Sequence, residues 1–306
     1  MVEVCYEVIL RLRHTEKREK TMIKLRGIIH NAKLTKTQQT IAEFVLDHSA
    51  DACFMTSTEI ADRLEVSESS VIRFARSLGY TGFMEFQKNL RKEFQDQVHH
   101  ISSAITVPSQ RMAEITKIGI SGDYLKQHFQ NIISNIEEMF SNNSLRNFED
   151  AADILVGSRQ KYVTATRGDT ALADYASLYL KHMVPNVINT SSACMTPVDQ
   201  MISIGKEDCL LIFGFPRYSS LDHMTVRMAK DAGARIIVLT DKPSSLLAQY
   251  ASVLFTVPVN SNNFNNSLAA AQFTTECLLE AVSHRVQGIE KRLQKIDEYL
   301  DELGTY

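Results

Sequence analysis

The stretch Thr56–Tyr80 constrains this chain most, because its pattern predicts two short helices joined by a tight turn. Thr56 is placed to cap the first helix, and Glu59 three residues later completes a capping-box pattern. Apolar residues then recur at helical spacing in both segments: Ile60, Ala61 and Leu64, followed by Val71, Phe74, Ala75 and Leu78. Two helices joined this closely form a helix-turn-helix, whose second helix fits the major groove of DNA.

The sequence also predicts where the second helix begins and ends. Glu65 and Val66 are expected to form the turn. Ser67 is expected to cap the helix, with its hydroxyl accepting a backbone N–H of the first turn. Gly79 would end the helix, because a glycine adopts the left-handed conformation required there.

A polar face lies opposite the apolar stripe of this second helix. We predict that it contacts DNA through Ser67, Ser69, Ser70, Arg73 and Arg76, with Ser77 nearby. Arginine can bind O6 and N7 of guanine with two hydrogen bonds, and serine hydroxyls can bind bases or phosphates. The alternative is an ordinary helical hairpin with a solvated polar face, since short amphipathic helix pairs are common.

The stretch Leu34–Leu90 resembles the N-terminal domain of the RpiR family of bacterial transcription regulators. The matching features are a Leu-Thr-x-x-Gln-x-x-Ile-Ala start, an Ala-Asp-x-Leu-x-Val-Ser turn, and Val-x-Arg-Phe followed by Leu-Gly-Tyr-x-Gly-Phe. The core expected for this small domain is Ile41, Phe44, Val45, Ile60, Leu64, Val71, Phe74, Leu78 and Phe83. The resemblance implies a DNA-binding head.

Charge limits how that head can bind DNA. The whole chain has a net charge of −3, and residues 1–98 hold 15 Lys and Arg against 14 Asp and Glu. The DNA contact must therefore be a local patch, and one copy should bind with modest affinity. We accordingly expect a homodimer or homotetramer on a palindromic operator.

Other features limit the location and the cofactors of the protein. The five cysteines are far apart with no C-x-x-C pair, and no apolar run approaches the roughly 20 residues of a membrane span. We therefore expect a cytoplasmic protein without a metal or another cofactor. The charged segment 1–21 precedes the familiar pattern, which leads to the hypothesis that Met22 is the physiological start.

Beyond residue 123 the pattern changes to apolar strands that alternate with helices. The expected strands are 162–166, 186–190, 209–214, 234–240 and 253–257, and a short helix is expected at 244–250. This alternation predicts a parallel sheet covered by helices on both faces. The predicted fold is an all-α helix-turn-helix domain at 22–98, a linker at 99–122, and an α/β domain with a five-stranded parallel sheet sandwiched by helices at 123–306.

Ligands of such sheets bind beyond the carboxyl ends of the strands, where loops meet helix N-termini. Three loops carry hydroxyl groups and arginines at these positions. The candidate effector-binding residues are Thr166, Arg167, Thr170, Arg217, Tyr218, Ser219, Ser220, Thr240 and Ser244. Together they suit an anion such as a sugar phosphate. The alternative is that Ser219 and Ser244 serve only as helix caps.

Residues 148–257 resemble the sugar isomerase (SIS) domain, most clearly in DCLLIFGFPRYSSLDHMTVRMAKDAGARIIVLTD. The resemblance implies a sandwich that binds phosphosugars and pairs as a dimer. Two loops depart from the family pattern. Family members often have Gly-x-Gly-x-Ser in the first loop, where this chain has Ala165–Thr170, and Ser-x-Ser-Gly-x-Thr in the second, where it has Phe213–Ser219. Asp169 puts negative charge where a phosphate would sit, so another small anion or a nitrogen-containing metabolite stays an alternative.

The favoured function is a ligand-responsive DNA-binding regulator of a catabolic operon, without enzymatic activity. One alternative is a sugar phosphate isomerase with an accessory helical domain. Its base and ring-opening acid would come from Glu276, His284 and His223. A scaffolding protein without a ligand is the other alternative.

Overall fold

The computed structural model describes residue 25 and residues 27–104, 107–117, 124–191 and 195–304. The described residues form two compact units. One holds those up to Asn131 together with Ser261–Asn265, and the other holds Ile132–Asn260 and those from Asn266 onward. The segment 1–21 and the suggested start at Met22 lie outside the described residues.

The N-terminal unit is helical. Its helices are α1 (residue 25 and residues 27–31), α2 (Lys36–Asp47), α3 (Ser49–Ala52), α4 (Ser57–Arg63), α5 (Glu68–Ser77), α6 (Phe83–Ala104) and α7 (Pro108–Lys117), and α8 (Tyr124–Asn142) has residues in both units. The expected core is buried, except that Phe44 and Leu64 are only partly buried. Cys53 and Phe54, which follow the short α3, are further buried members.

The described residues of the expected linker are helical except for Val107. Helix α6 continues to Ala104 because Phe94 and Ile101 keep the apolar face of the helix buried beyond residue 90. Pro108 interrupts no helix, since it is the first residue of α7, where its missing N–H costs nothing. Ile115 of α7 is buried as well.

The C-terminal unit contains a parallel sheet of five described strands in the order β2-β1-β3-β4-β5. The strands are β1 (Lys161–Ala165), β2 (Val187–Asn189), β3 (Cys209–Phe213), β4 (Arg235–Thr240) and β5 (Val253–Thr256). The helices of this part of the chain are α9 (Leu145–Gly157), α10 (Thr170–Met183), α11 (Pro197–Gln200), α12 (Ser220–Asp231), α13 (Ala269–Ser283) and α14 (Ile289–Glu302). The predicted α/β fold is confirmed.

Helices cover both faces of this sheet, which explains why its central strands are apolar throughout. Alternate residues such as Leu211 and Phe213 pack with α9, α10 and α13, whereas Leu210 and Ile212 pack with α12. All five residues of β3 are buried. No helix among the described residues is both long and apolar enough to cross a membrane.

The segment after β4 differs from the prediction of a helix at 244–250. Only the 3-10 turn Ala248–Tyr250 forms. Leu247 is fully buried under the loop that follows β3, where a Cβ on Gly214 would lie 2.2 Å from Leu247 Cδ1. The chain places Leu247 in this gap instead of winding a regular helix, and Gly214 leaves room for it.

Candidate functional site

The helix-turn-helix is held by local interactions that the sequence predicted. Thr56 Oγ1 accepts the Glu59 N–H at 3.1 Å, and the Glu59 carboxylate accepts the Thr56 N–H at 2.6 Å. The Thr56 N–H, followed by the Thr56 side chain, lowers the pKa of Glu59 by hydrogen bonding to its carboxylate. Between α4 and α5, Glu65 has a φ of 52°, and the Val66 N–H donates to the Ala61 carbonyl at 2.9 Å. The turn is therefore tight and fixed.

Helix α5 ends as predicted at Gly79, whose φ is 92°. The Gly79 N–H donates to the Arg76 carbonyl, and the Tyr80 N–H donates to the Ala75 carbonyl. This is the Schellman pattern, which satisfies carbonyls at the helix end. Phe74 and Ala75 are fully buried, so the opposite face of α5 must point toward solvent.

The polar face of α5 is open to solvent. Ser67, Ser69, Arg73 and Arg76 are exposed, and Ser70 is half-buried. An Arg73 guanidinium nitrogen donates to Ser70 Oγ at 3.1 Å, and Arg76 Nε donates to the Thr81 carbonyl at 3.4 Å. Two cations and several hydroxyl groups thus share one surface, as a DNA-contacting helix requires.

Ser67 precedes α5 in an extended conformation, but its expected side-chain cap is absent. Ser67 Oγ bonds instead to Ser69 Oγ at 2.9 Å and to Ser70 Oγ at 2.8 Å. The expected cap was wrong, because neighbouring hydroxyls compete for this oxygen. Glu68 additionally accepts from Ser57 Oγ at 2.7 Å, which ties the start of α5 to the start of α4.

In the C-terminal unit, the strand order places a switch point between β1 and β3. The chain leaves β1 toward β2 on one side and later enters β3 on the other. Ligands of open parallel sheets bind at such a switch point, outside the carboxyl ends of the strands. The first two predicted loops follow these two strands, and the third follows the adjacent β4.

Two carboxylates join the first loop to the second. An Asp169 oxygen accepts the Phe215 N–H at 3.4 Å. Asp222 is buried, and one of its oxygens accepts both the Ser219 N–H and the Thr166 hydroxyl at 2.9 Å. Its other oxygen is buried without a hydrogen-bond partner among the described residues. Two loop N–H groups that could donate to a bound anion therefore already donate to carboxylates of the chain itself.

Burial governs the charge of these carboxylates. It raises the pKa of Asp169 to about 6, against the opposing effect of the Phe215 N–H, and the nearby Asp222 adds to the increase. Burial also raises the pKa of Asp222, although its two donors act in the opposite direction. Asp169 and Asp222, which form the base of the site, therefore lose their protons at a higher pH than an exposed aspartate.

Each of the first two loops carries an arginine with a left-handed backbone, and Arg167 lies near Asp169. The φ angles are 59° at Arg167 and 77° at Arg217, and both side chains are exposed. Both arginines lie in loops where the SIS pattern often has glycine. Retaining a side chain at positive φ costs energy and is frequent at functional sites.

The third loop joins the second through Tyr218, whose hydroxyl donates to Asp241 Oδ1. Burial and the Asp241 carboxylate raise the pKa of Tyr218. Thr240, the last residue of β4, is fully buried, and its hydroxyl donates to Asp241 at 3.4 Å. Ser244 is exposed, whereas Ser245 is buried, lies near the Tyr218 hydroxyl and accepts the Ala248 N–H at 3.2 Å. Sequence reasoning therefore missed Ser245.

The other candidates have local contacts. Ser219 Oγ accepts the Leu221 N–H at 3.1 Å and caps α12, as the alternative interpretation held. Thr170 Oγ1 donates to the Arg167 carbonyl at 2.9 Å. Ser220 is exposed on the first turn of α12. Sequence reasoning also missed Asp222, although the Ser-x-x-Asp spacing from Ser219 is a capping signal.

The residues considered for catalysis have separate partners. Glu276 is exposed and accepts from Gln272 at 2.9 Å, and exposed His284 bonds to Glu280 at 3.0 Å. His223 bonds to the Tyr250 hydroxyl at 3.1 Å. The described ranges contain no cluster of His, Cys, Asp or Glu that fits a metal ion.

Comparison with known proteins identifies both halves of the chain. Residues 25–97 match the helix-turn-helix domain of the rpiR family, and residues 154–281 match the SIS domain. An HTH-type transcriptional regulator of Haemophilus influenzae is 26% identical over 233 residues, which cover 75% of this chain and 76% of the relative. The HTH-type transcriptional regulator RpiR of Escherichia coli K12 is 24% identical over 254 residues, or 81% of this chain and 80% of the relative.

A solved structure extends the likeness to nearly the whole chain. The Vibrio vulnificus NanR protein complexed with ManNAc-6P aligns over 92% of this chain and 98% of its own, with a TM-score of 0.52 and 14% identity. At this identity the likeness concerns the fold.

Proposed function

The chain belongs to the RpiR family of helix-turn-helix transcriptional regulators with a SIS domain, and we propose that it binds operator DNA through α5 and a sugar phosphate at the carboxyl ends of β1, β3 and β4. It is a regulator and not an enzyme. Binding of the effector changes its affinity for the operator, which requires a coupling free energy between the two sites.

For the DNA site, the proposal rests on the exposed Arg73 and its hydroxyl neighbours on α5. Arg73 reads a base, whereas Ser67, Ser69, Ser70 and Arg76 bind bases or phosphates. Because the N-terminal residues carry almost no net charge, one head binds weakly. A homodimer or homotetramer on a palindromic operator supplies the missing affinity through effective concentration.

For the effector site, the observation that carries the proposal is an exposed, left-handed arginine in each of the two loops that Asp169 and Asp222 join. A sugar phosphate offers groups that match both charges. Its phosphate pairs with the guanidinium groups of Arg167 and Arg217, and one of its hydroxyls donates to Asp169. The negative charge of Asp169 then favours the sugar end of the ligand instead of excluding the phosphate.

The neighbouring structure supports this ligand class, since the Vibrio vulnificus protein is complexed with a phosphorylated amino sugar. Tyr218 of the second loop completes the ligand site together with Thr240 and Ser245 of the third, next to Asp241. Thr166, Thr170, Ser219, Ser220 and Ser244 stand around the same strand ends. The proposal includes a helix-turn-helix domain at 22–98, a linker at 99–122, an α/β domain at 123–306 and a cytoplasmic location.

The effector proposal is tested with a thermal-shift screen of sugar phosphates against the unphosphorylated sugars. A sugar phosphate should raise the Tm of the wild-type protein, and Arg217→Ala should abolish that increase. Lys230→Ala, which removes an exposed cation near the far end of α12, is the matched control and should keep the response. An equal Tm increase in Arg217→Ala and in wild type would refute the assignment.

A further inference from the structure

Three serines at the start of α5 form a cluster joined through their hydroxyl groups. Ser67 Oγ lies 2.9 Å from Ser69 Oγ and 2.8 Å from Ser70 Oγ. The Ser70 N–H also donates to the Ser67 carbonyl at 2.8 Å, so two bonds join these residues. In this arrangement Ser67 forgoes the side-chain cap that would stabilise the helix end. Departures from a local rule of this kind are expected at functional sites.

Ser70 connects the serine cluster to Arg73. A terminal nitrogen of Arg73 donates to Ser70 Oγ at 3.1 Å. The two residues are three positions apart, a spacing that places them on the same side of a helix. Ser70 is half-buried, whereas Arg73 is exposed. The acceptor oxygen is thus held by partial burial and by Ser67, and it holds the guanidinium in turn.

The bond to Ser70 leaves the Arg73 guanidinium able to bind a base. A guanidinium has five N–H donors in one plane, and two donors along one edge suffice for O6 and N7 of guanine. Ser70 is neutral, so it orients the arginine without cancelling its charge. A long side chain that is already held also loses less conformational freedom when it binds DNA.

We propose that Ser70 is a positioning residue, whose hydroxyl, held by Ser67, keeps the Arg73 guanidinium in one orientation before DNA binds. This inference deepens the proposed DNA site and rests on it. Reading a base requires two hydrogen bonds of defined direction, whereas the attraction of an arginine to phosphate carries no sequence information. Ser70 therefore acts on the choice of base more than on general affinity for DNA.

Ser70→Ala in the full-length protein separates these two effects. The probes are the duplex that the wild-type protein selects from a random pool and an unrelated duplex. Ser70→Ala should bind the selected duplex about 3- to 10-fold more weakly, the usual cost of immobilising one long side chain. It should relax the preference at the same base pair as Arg73→Ala. Affinity for the unrelated duplex and the salt dependence should be unchanged, because the phosphate contacts remain.

Equal weakening on both duplexes would place Ser70 on the phosphate backbone and overturn the positioning role. Ser70→Thr keeps a hydroxyl at this position and should restore the base preference. Thr40→Ala is the control, since it removes an exposed hydroxyl that donates to the Lys36 carbonyl of α2, and it should leave both affinities unchanged. Alanine suits a helix at least as well as serine, so Ser70→Ala should keep the wild-type Tm.

A double-mutant cycle with Arg73→Ala gives a test that does not depend on how well threonine fits. In the Arg73→Ala background, Ser70→Ala should cause no further loss of preference, because no arginine remains to be positioned. Additive losses would overturn this inference and leave α5 as the DNA-contacting helix. A wild-type protein that selects no duplex would overturn the proposed DNA site as well.

Discussion

Individual residues of the proposed effector site are held at an energetic cost. A side chain at left-handed φ costs about 1–2 kcal/mol relative to a right-handed backbone, and glycine avoids this cost. Arg217 has a φ of 77°. Its side chain is exposed, so no buried contact offsets the cost of this backbone conformation. In the proposed function, the arginine is retained here for its charge at the mouth of the effector site.

We therefore predict different stabilities for two variants that both lose the effector response. Arg217→Gly should be more stable than Arg217→Ala by about 1 kcal/mol, because only glycine relieves the left-handed strain. Urea denaturation of the C-terminal transition measures the difference. Equal stability would mean that the backbone at this position is not strained.

Asp169 should make stability depend on pH. Its carboxyl has a reference pKa of 3.8 and a folded pKa of about 6. Between these values the folded state binds more protons than the unfolded state, so stability falls as pH rises and the loss is complete above the folded pKa.

Replacing this acid by a neutral isostere should remove that loss. Asp169→Asn should raise the Tm clearly at pH 7.5 and only slightly at pH 4.5, because asparagine never ionises. The Asn side-chain oxygen can still accept the Phe215 N–H. A Tm increase of the same size at both pH values would contradict the raised pKa.

At the scale of elements, the two helices of the head are capped differently. Thr56 forms a complete capping box, whereas the Ser67 hydroxyl bonds only to neighbouring serines. The sequence predicted a side-chain cap at both positions. The difference arises because Ser69 and Ser70 compete for the Ser67 oxygen, and a single-residue pattern does not include this competition.

This difference predicts unequal costs of two similar substitutions. Thr56→Ala should destabilise the N-terminal unit by about 1 kcal/mol, the usual cost of a lost cap, and Ser67→Ala by less than about 0.5 kcal/mol. Chemical denaturation followed through that unit checks both values. A larger loss for Ser67→Ala than for Thr56→Ala would reverse the assignment of caps.

The loop after β3 depends on a second element for its shape. A methyl group on Gly214 would overlap Leu247, which is fully buried and has little room to move. Gly214→Ala should cost about 1–3 kcal/mol, as overpacking does. Leu247→Ala in the same chain should recover part of that loss in a double-mutant cycle. Strict additivity of the two changes would show that the contact is absent.

Periodicity predicted the regular elements well and the site less completely. The alternation of apolar strands and helices gave the sheet, and the stripe from Val71 to Leu78 gave α5. Asp222 and Ser245 were missed because their importance depends on contacts across loops, to Thr166 and Tyr218, that no local pattern records. The helix expected at 244–250 failed for a similar reason, since tertiary burial of Leu247 overrode local propensity.

At the scale of the whole molecule, a regulator needs a reading surface and a sensing site. The chain carries an rpiR-family helix-turn-helix domain and a SIS domain, each with its own core. A coupling of typically 1–3 kcal/mol between them corresponds to a change in operator affinity of about 5- to 150-fold. We expect the effector that raises the Tm to change operator affinity within this range, and a ligand without that effect would not be the regulator's signal.

Operator binding by Arg73→Ala tests the central claim most directly. Duplexes selected from a random pool by the wild-type protein serve as the probe, with salt held constant. Loss of a base-reading arginine should weaken binding by about 1–3 kcal/mol, or roughly 5- to 150-fold, and relax the preference at one base pair. Lys88→Ala, which removes an exposed cation from α6, should keep the selected base preferences. Unchanged affinity and sequence preference in a folded Arg73→Ala protein would contradict the account.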